Sequence, residues 1–239
     1  MAAVNLIDVT HATRRYDGLV AVDDASLRIP AGEVRAIIGP NGAGKTTLVG
    51  MISGRVVPSS GTITFAGEDI TRLPSWSRVR RGIVYTFQVT SIYRNLTCAE
   101  NVALAAQSSL GGRQKLIAGK SAQCLERVGL SNDAKRLAGV LPYGHQRLLE
   151  VAMAMALDPR LLILDEPTQG LAPAEISAFC DLVRGIASSA TVLLIEHNLK
   201  VVLELAQTIT VMDQGRIIAE GSPAEIEAHP AVQRAYLGT

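Results

Sequence analysis

The alternation of apolar and polar positions changes rhythm several times along the chain, and each change predicts a different element. From Val4 to Arg14 and from Val22 to Ile29 the two types alternate, the period of strands with one solvated face, and Pro30-Ala31-Gly32 then turns the chain. Val34-Arg35-Ala36-Ile37-Ile38 predicts a buried strand, and Thr47-Leu48-Val49-Gly50-Met51-Ile52 reads as a helix. Gly61-Thr62-Ile63-Thr64-Phe65-Ala66-Gly67 predicts another short strand, ended by glycine on both sides. Leu161-Leu162-Ile163-Leu164 and Thr191-Val192-Leu193-Leu194-Ile195 are continuous apolar runs of the kind found in parallel sheets covered on both faces. Between them Ile176, Phe179, Val183 and Ile186 recur on one side of a helix. The result is a βαβ unit, which places Asp165 and His197 at the carboxyl ends of nearby strands, where open α/β sheets bind ligands.

Between Gln88 and Pro159 strand alternation gives way to Ala-, Leu- and Gln-rich segments. The expectation is a single domain over 1–239, with residues 1–88 and 159–239 forming the sheet core and residues 89–158 an inserted helical subdomain. Near the end, Ser222-Pro223-Ala224-Glu225 combines an N-cap, Pro at N1 and Glu at N3, and Pro230 to Leu237 predicts a short helix stopped by Gly238.

Composition narrows the functional classes. The 239 residues, 48% hydrophobic, suffice for a substantial core. Lys plus Arg number 23 against 22 for Asp plus Glu, so charge gives no reason to propose nucleic acid as the main ligand. Cys98, Cys124 and Cys180 are odd in number and widely spaced, which fits buried neutral thiols in a reducing compartment better than a zinc ribbon or a disulfide framework. No apolar stretch approaches the roughly 20 residues that cross a bilayer, and Met1-Ala2-Ala3-Val4-Asn5 lacks the features of a signal peptide. The expected location is the cytosol, with any membrane action through docking onto other proteins. Arg78, Arg80 and Arg81 read as a solvated helix face.

Two motifs carry chemistry. Gly39-Pro40-Asn41-Gly42-Ala43-Gly44-Lys45-Thr46 is a complete phosphate-binding loop between a strand and a helix. Its glycines let backbone N–H groups converge on a polyphosphate, the positive end of the helix adds to that attraction, Lys45 reaches the β- and γ-phosphates, and Thr46 offers a hydroxyl to Mg²⁺. In Arg160-Leu161-Leu162-Ile163-Leu164-Asp165-Glu166-Pro167 a buried strand ends in adjacent carboxylates, which cations or reacting water explain best. Asp165 suits the Mg²⁺ shell, and Glu166 suits polarising the water that attacks the γ-phosphate.

With these motifs in order, nearly the whole chain resembles the ATPase subunit of an ABC transporter. The resemblance implies an α/β fold of the P-loop NTPase type, with a mixed sheet, an antiparallel β-subdomain and an inserted helical subdomain. It implies ATP contacts at Tyr16, 23 positions before Gly39 and stacked on adenine, at Val22, and at the loop through Thr47. Gln88 in Tyr85-Thr86-Phe87-Gln88 matches the Q-loop glutamine, which joins Thr46 and Asp165 around Mg²⁺, and His197 matches the switch histidine at the γ-phosphate. Catalysis would then rest on Glu166, His197, Gln88 and Lys45. The family signature stands here as Leu141-Pro142-Tyr143-Gly144-His145, followed by Gln146, and would face nucleotide held by a second ATPase subunit, identical or similar. Pro142 and His145 depart from the usual serine and glutamine, and Ala172 replaces the common D-loop aspartate, so a modified but active ATPase is expected.

Gly18-Leu19-Val20-Ala21-Val22-Asp23-Asp24, Ile195-Glu196-His197-Asn198, Ile218-Ala219-Glu220-Gly221 and Ala235-Tyr236-Leu237-Gly238 are most similar to ATPases of branched-chain amino-acid importers. That branch implies two membrane-spanning permease subunits, an external solute-binding protein, a place on the inner face of the membrane, and a permease groove including Ile92, Tyr93 and Leu96. Urea or amide importers and the lipopolysaccharide exporter ATPase are close relatives of the same class. A soluble ATP-dependent switch, or a nucleotide-binding regulator with negligible turnover, uses the same motifs to other ends.

Overall fold

The computed structural model describes residues 5–86, 91–230, 232 and 233. The chain opens with a hairpin of β1 (Asn5–Tyr16) and β2 (Leu19–Pro30). Its two-residue turn is Asp17-Gly18 with φ of 36° and 99°, the pair of positive values that lets a hairpin turn follow the twist of its strands. β3 (Val34–Ile38) follows, buried throughout, and the phosphate loop carries it into α1 (Lys45–Ser53). β4 (Ser60–Phe65) and β5 (Glu68–Asp69) complete an antiparallel sheet in the order β2-β1-β4-β5.

After α2 (Ser75–Arg80) and β6 (Ile83–Tyr85), residues 91–158 contain α3 (Cys98–Leu110), α4 (Gln114–Arg127) and α5 (Tyr143–Met155), with two short 3₁₀ turns and one isolated bridge between Thr97 and Leu137. β7 (Leu161–Asp165), α6 (Pro173–Ala187) and β8 (Thr191–Ile195) form the expected βαβ unit. α7 (Leu199–Leu205), β9 (Thr208–Asp213), β10 (Arg216–Gly221) and α8 (Pro223–Glu227) follow. The second sheet runs β10-β9-β3-β8-β7-β6, parallel except for the β9–β10 pair. The helix proposed over Pro230 to Leu237 lies largely outside the described residues.

This parallel sheet is a wall between two cores, which explains why its strands are apolar without alternation. Leu162, Leu164, Val192 and Leu194 pack on the side of the helices, with Leu149, Ala152, Phe179 and Val183. Leu161, Ile163, Leu193 and Ile195 face the other way, onto α1 and the antiparallel sheet, with Leu48, Ile52, Val9 and Leu27. Arg35 interrupts the apolar run of β3 yet is buried, because Glu33 and Glu220 each accept from its guanidinium at 2.7 Å. The three cysteines are buried as expected, and burial pushes each thiol up from its ordinary value.

Arg78 corrects the reading of the arginine cluster. It is 1% exposed, and its guanidinium donates to the carbonyls of Met51 (2.6 Å), Ile52 (2.8 Å), Leu73 (2.9 Å) and Thr71 (3.0 Å). Met51 and Ile52 lie in the last turn of α1, so a cation sits on the carbonyl end of that helix, beside the 3.4 Å bond that Gly54 N–H makes to Met51 O. Burial lowers its pKa to about 10. Arg80, by contrast, lies over the ring of exposed Trp76, and Arg81 reaches Ser77 and Glu68.

Two helix starts, those of α3 and α8, carry a reciprocal capping box. Thr97 and Ser222 each accept from the N–H three residues on, while Glu100 and Glu225 accept from the Thr97 and Ser222 N–H groups in return. At α6 only half of this box exists. Glu175 accepts from the Ala172 N–H at 2.7 Å, but Ala172 has no side-chain oxygen to return the bond.

Two stability changes are expected. Arg78→Met removes a charged donor from several buried carbonyls and should cost about 3 kcal/mol in chemical denaturation, with Arg78→Lys recovering only part. Ala172→Ser completes the third capping box and should add about 1 kcal/mol, a gain that equal denaturation midpoints would refute.

Candidate functional site

The phosphate loop is held by close backbone packing and by the side chain of Lys45. A Cβ at Gly44, where φ is 99°, would stand 2.4 Å from the Ala21 carbonyl oxygen, and one at Gly39 would stand 2.2 Å from that of Met212. The loop is further pinned where Gly215 N–H donates to Ala43 O at 3.0 Å and Asp23 N–H donates to Gly215 O at 2.8 Å. Lys45 opens α1 and is largely buried, its ammonium donating to Gly39 O at 2.6 Å and Pro40 O at 2.9 Å. Burial lowers its pKa, against the opposing pull of the Glu166 and Asp165 charges.

A cavity of about 660 Å³ opens above this loop, within the usual range for small-molecule sites. Asn41 through Thr47 form its floor, Glu166 and His197 one wall, and Tyr16 another. Tyr16 ends β1, and the Arg14 guanidinium carbon lies 4.3 Å from its ring centroid, which fixes the ring with a cation on one face. Val22 does not join this wall. It is fully buried in the core of the antiparallel sheet, because β2 enters the core there; the preceding Leu19, Val20 and Ala21 line the cavity instead. Gln214, on the turn between β9 and β10, also lines it, and nothing local in the sequence marks that residue.

Strand register brings the reactive wall together. Ile37 of β3 pairs with Ile195 of β8, and Ile195 pairs with Asp165 of β7, so the strands end level. Glu166 follows with φ of 48°, a left-handed backbone uncommon for glutamate, while its N–H prolongs the ladder to Ile195 O at 2.8 Å. The turn aims the Glu166 carboxylate at His197, whose Nε2 is 2.9 Å from Oε1; which nitrogen carries the proton depends on the tautomer. Asp165 is 3% exposed, burial raises its pKa, and Tyr85 donates its hydroxyl to Oδ2. Tyr85 pairs with Ile163, two residues before Asp165, so its ring spans a diagonal cross-strand pair. Burial and this hydrogen bond push its phenol up.

The donor chemistry here suits a hard cation. Thr46 brings a hydroxyl to the cavity, Asp165 stands buried at the end of β7 directly before the lining residue Glu166, and no group of three or more His, Cys, Asp or Glu among the described residues forms a metal cage. One carboxylate, a hydroxyl and phosphate oxygens is the donor set that Mg²⁺ accepts while keeping several waters. Gln88, expected beside them, lies outside the described residues.

The signature residues stand apart, since none of 141–146 lines the cavity among the described residues. Pro142 is the N-cap of α5 and offers neither hydroxyl nor N–H. Buried Leu141 accepts from the Gln146 side chain at 2.8 Å. His145 has its Nδ1 3.8 Å from Asp133 Oδ2, too long for a hydrogen bond. Tyr143 covers Gly170, where a Cβ would come within 2.7 Å of its ring, and Gly144 packs against Leu171 and Glu175.

Sequence reasoning missed Glu196, a buried carboxylate that directly follows β8. The argument that flagged Asp165, an acid at the mouth of an apolar strand, applies to it equally.

A family model for the ABC transporter matches residues 22–169, and one for the branched-chain amino acid ATP-binding cassette transporter matches residues 216–239. The chain is 39% identical to the high-affinity branched-chain amino acid transport ATP-binding protein BraF of Pseudomonas aeruginosa, over 98% of each chain. It is 39% identical to LivG of Salmonella typhimurium, described in the same words, and 32% identical to the lipopolysaccharide export system ATP-binding protein LptB of Haemophilus influenzae, each over 98% of both chains. The ADP conformation of MJ1267, an ATP-binding cassette of an ABC transporter, superposes with a TM-score of 0.87 at 29% identity, covering 98% of this chain and 99% of that one. Phosphate loop, acidic strand end and full-length similarity agree: the chain belongs to the ABC transporter family, as one of its ATP-binding cassettes.

Proposed function

We propose that this cassette hydrolyses ATP to energise uptake of branched-chain amino acids, or of a similar small polar solute, through two membrane-spanning permease subunits. The observation that carries the reading is the Glu166–His197 pair at 2.9 Å, on the wall of the cavity floored by the phosphate loop. Similarity to BraF and LivG exceeds that to LptB, and the match over residues 216–239 points the same way, so import is favoured over export.

In this reading Tyr16 stacks on adenine, and Asn41 to Thr47 wrap the phosphates with backbone N–H groups and hydroxyls. Lys45, already directed at its own loop, exchanges carbonyl partners for the β- and γ-phosphate oxygens. Glu166 accepts a hydrogen bond from the attacking water, and His197 holds both Glu166 and the γ-phosphate in line. Mg²⁺, held by Thr46, Asp165 and Gln88, would supply charge neutralisation across the β- and γ-phosphates.

Leu141 to Gln146 present the tip of α5 to nucleotide held by a second cassette, so that ATP joins the two. Pro142 removes one donor from that tip, a loss of about 1.5 to 3 kcal/mol for a bond to a charged group, which weakens closure without removing the base. The permeases dock near exposed Tyr93 and partly buried Ile92 and Leu96, and an external solute-binding protein delivers the cargo. No helix among the described residues is long and apolar enough to cross a membrane, and in this reading the cassette sits on the inner face through its permeases.

Two substitutions test this in the assembled complex. Glu166→Gln should lower steady-state ATP turnover about 10²- to 10⁴-fold while nucleotide still binds, and a rate equal to the parent's would remove Glu166 from catalysis. Lys45→Ala should abolish measurable ATP binding in a titration, because no other cation of the cavity floor replaces its charge; unchanged affinity would count against the role. Uptake of labelled leucine in cells lacking this subunit, with and without the gene restored, reads the solute class directly.

A further inference from the structure

We infer that Glu196 is a positioning residue: its carboxylate locks the chain leaving β7 to the chain leaving β8 and thereby sets the spacing of Glu166 and His197. The inference rests on the roles proposed above for those two residues. Glu196 is 3% exposed, and both oxygens are fully used. Oε1 accepts from the Thr168 N–H at 2.9 Å and from the Thr168 hydroxyl at 2.5 Å. Oε2 accepts from the N–H groups of His197 at 3.0 Å and Asn198 at 3.1 Å.

Burying a carboxylate is costly, and an apolar side chain would fill the same volume more cheaply. No ion pair to Glu196 exists among the described residues, so the charge is not there to meet a cation. What an acid provides that an apolar residue cannot is four directed hydrogen bonds across a gap between two chain segments. The gap lies where the backbone ladder of β7 and β8 has just ended. The last main-chain bond joins Glu166 N–H to Ile195 O, and the next tie, Thr168 to Glu196, is made by this side chain.

Glu166 therefore stands between two fastenings. Its backbone is left-handed, a conformation that persists only where the surroundings over-determine it. Released from Thr168, that segment is free to relax φ and swing the carboxylate away. His197 is fixed from the other side, since its own N–H is bound to the same carboxylate. One side chain thus holds both members of the pair, while touching neither reacting group.

The test uses the assembled complex and compares kcat, KM for ATP and equilibrium nucleotide affinity. Glu196→Gln keeps shape but turns one acceptor into a donor facing N–H groups, so one side of the latch opens. A shift of about 1 Å in a reacting group costs up to about 10²-fold, so kcat should fall about 10-fold in Glu196→Gln and about 100-fold in Glu196→Leu. KM and nucleotide affinity should stay within about twofold, because the phosphate loop hangs on β3 and makes no bond to Glu196. Thr168→Val, which removes the hydroxyl and keeps the N–H, should slow turnover about threefold. Combined with Glu196→Gln it should add little, the non-additivity of a shared contact. Should Glu196→Leu fail to fold, Glu196→Gln and Thr168→Val carry the test. A kcat within twofold of the parent in Glu196→Gln overturns the inference, as does a fall in kcat matched by lost nucleotide affinity, the mark of general damage. Glu166→Gln serves as the reference arm. In that background Glu196→Gln should have no further effect; parent-like turnover of Glu166→Gln alone sinks the assignment of Glu166 instead, whatever the Glu196 variants do.

Discussion

One row of the parallel ladder, through Thr210, Ile37, Ile195 and Asp165, decides where every reactive group stands. Along each of these strands alternate side chains enter different cores, so the row cannot slip by one residue without exchanging Leu164 for Asp165 in the helical core. The cost of burying that carboxylate among leucines and phenylalanine far exceeds any gain from a new pairing. Register is thus fixed by apolar packing well below the site, and the level strand ends are its consequence. From that common level the chain leaves β3 as the phosphate loop, β7 as Glu166 and β8 as Glu196 and His197, which is why residues far apart in sequence converge on one cavity.

What was legible in the sequence shares a single property: it is encoded within a short window. The apolar runs at 34–38, 161–164 and 191–195 announce buried strands because both faces are covered, and the glycine loop between a strand and a helix needs no distant partner to be read. Asp165 and Glu166 stood out as acids at the mouth of an apolar run. Arg78 did not, because its neighbours in sequence give no sign of a buried charge, and its burial comes from the carboxyl end of α1, more than twenty residues back. Val22 failed for a related reason. Its neighbours Val20 and Ala21 reach the cavity, and the point at which β2 enters the core is set by the facing strand β1. Tyr85 could be named as part of a strand, but its reach to Asp165 depends on β6 pairing with β7, which no local pattern states.

Charge in the cavity is unbalanced, and the imbalance has a direction. Lys45 faces Asp165 and Glu166, so one ammonium meets two carboxylates before any ligand is considered. Burial lowers the lysine and raises Asp165, and each shift makes the charged form costlier than in water. A polyphosphate brings further negative charge into this space. In the proposed reading backbone dipoles and Lys45 would offset part of it and a divalent cation beside Asp165 the rest, while Tyr85 donates to one oxygen of that carboxylate.

The segment that carries Glu166 is fastened at both ends, and the second fastening reaches the signature. At one end Thr168 is bound to Glu196. Two residues later Gly170, with φ of 80°, lies against the Tyr143 ring so closely that no side chain fits, and Leu171 packs on Gly144. Residues 166–171 therefore join the reactive wall of the cavity to the tip of α5 within one chain. In the proposed two-cassette arrangement, a displacement of α5 toward Gly170 is passed on by contact with the Tyr143 ring, whose other side is open to solvent. The same displacement then reaches Glu166 through a segment too short to absorb it. Ala172 closes this segment: its N–H donates to the Glu175 carboxylate and its carbonyl accepts from Ile176 N–H, so the start of α6 is tied as well, though without a capping oxygen from residue 172 itself.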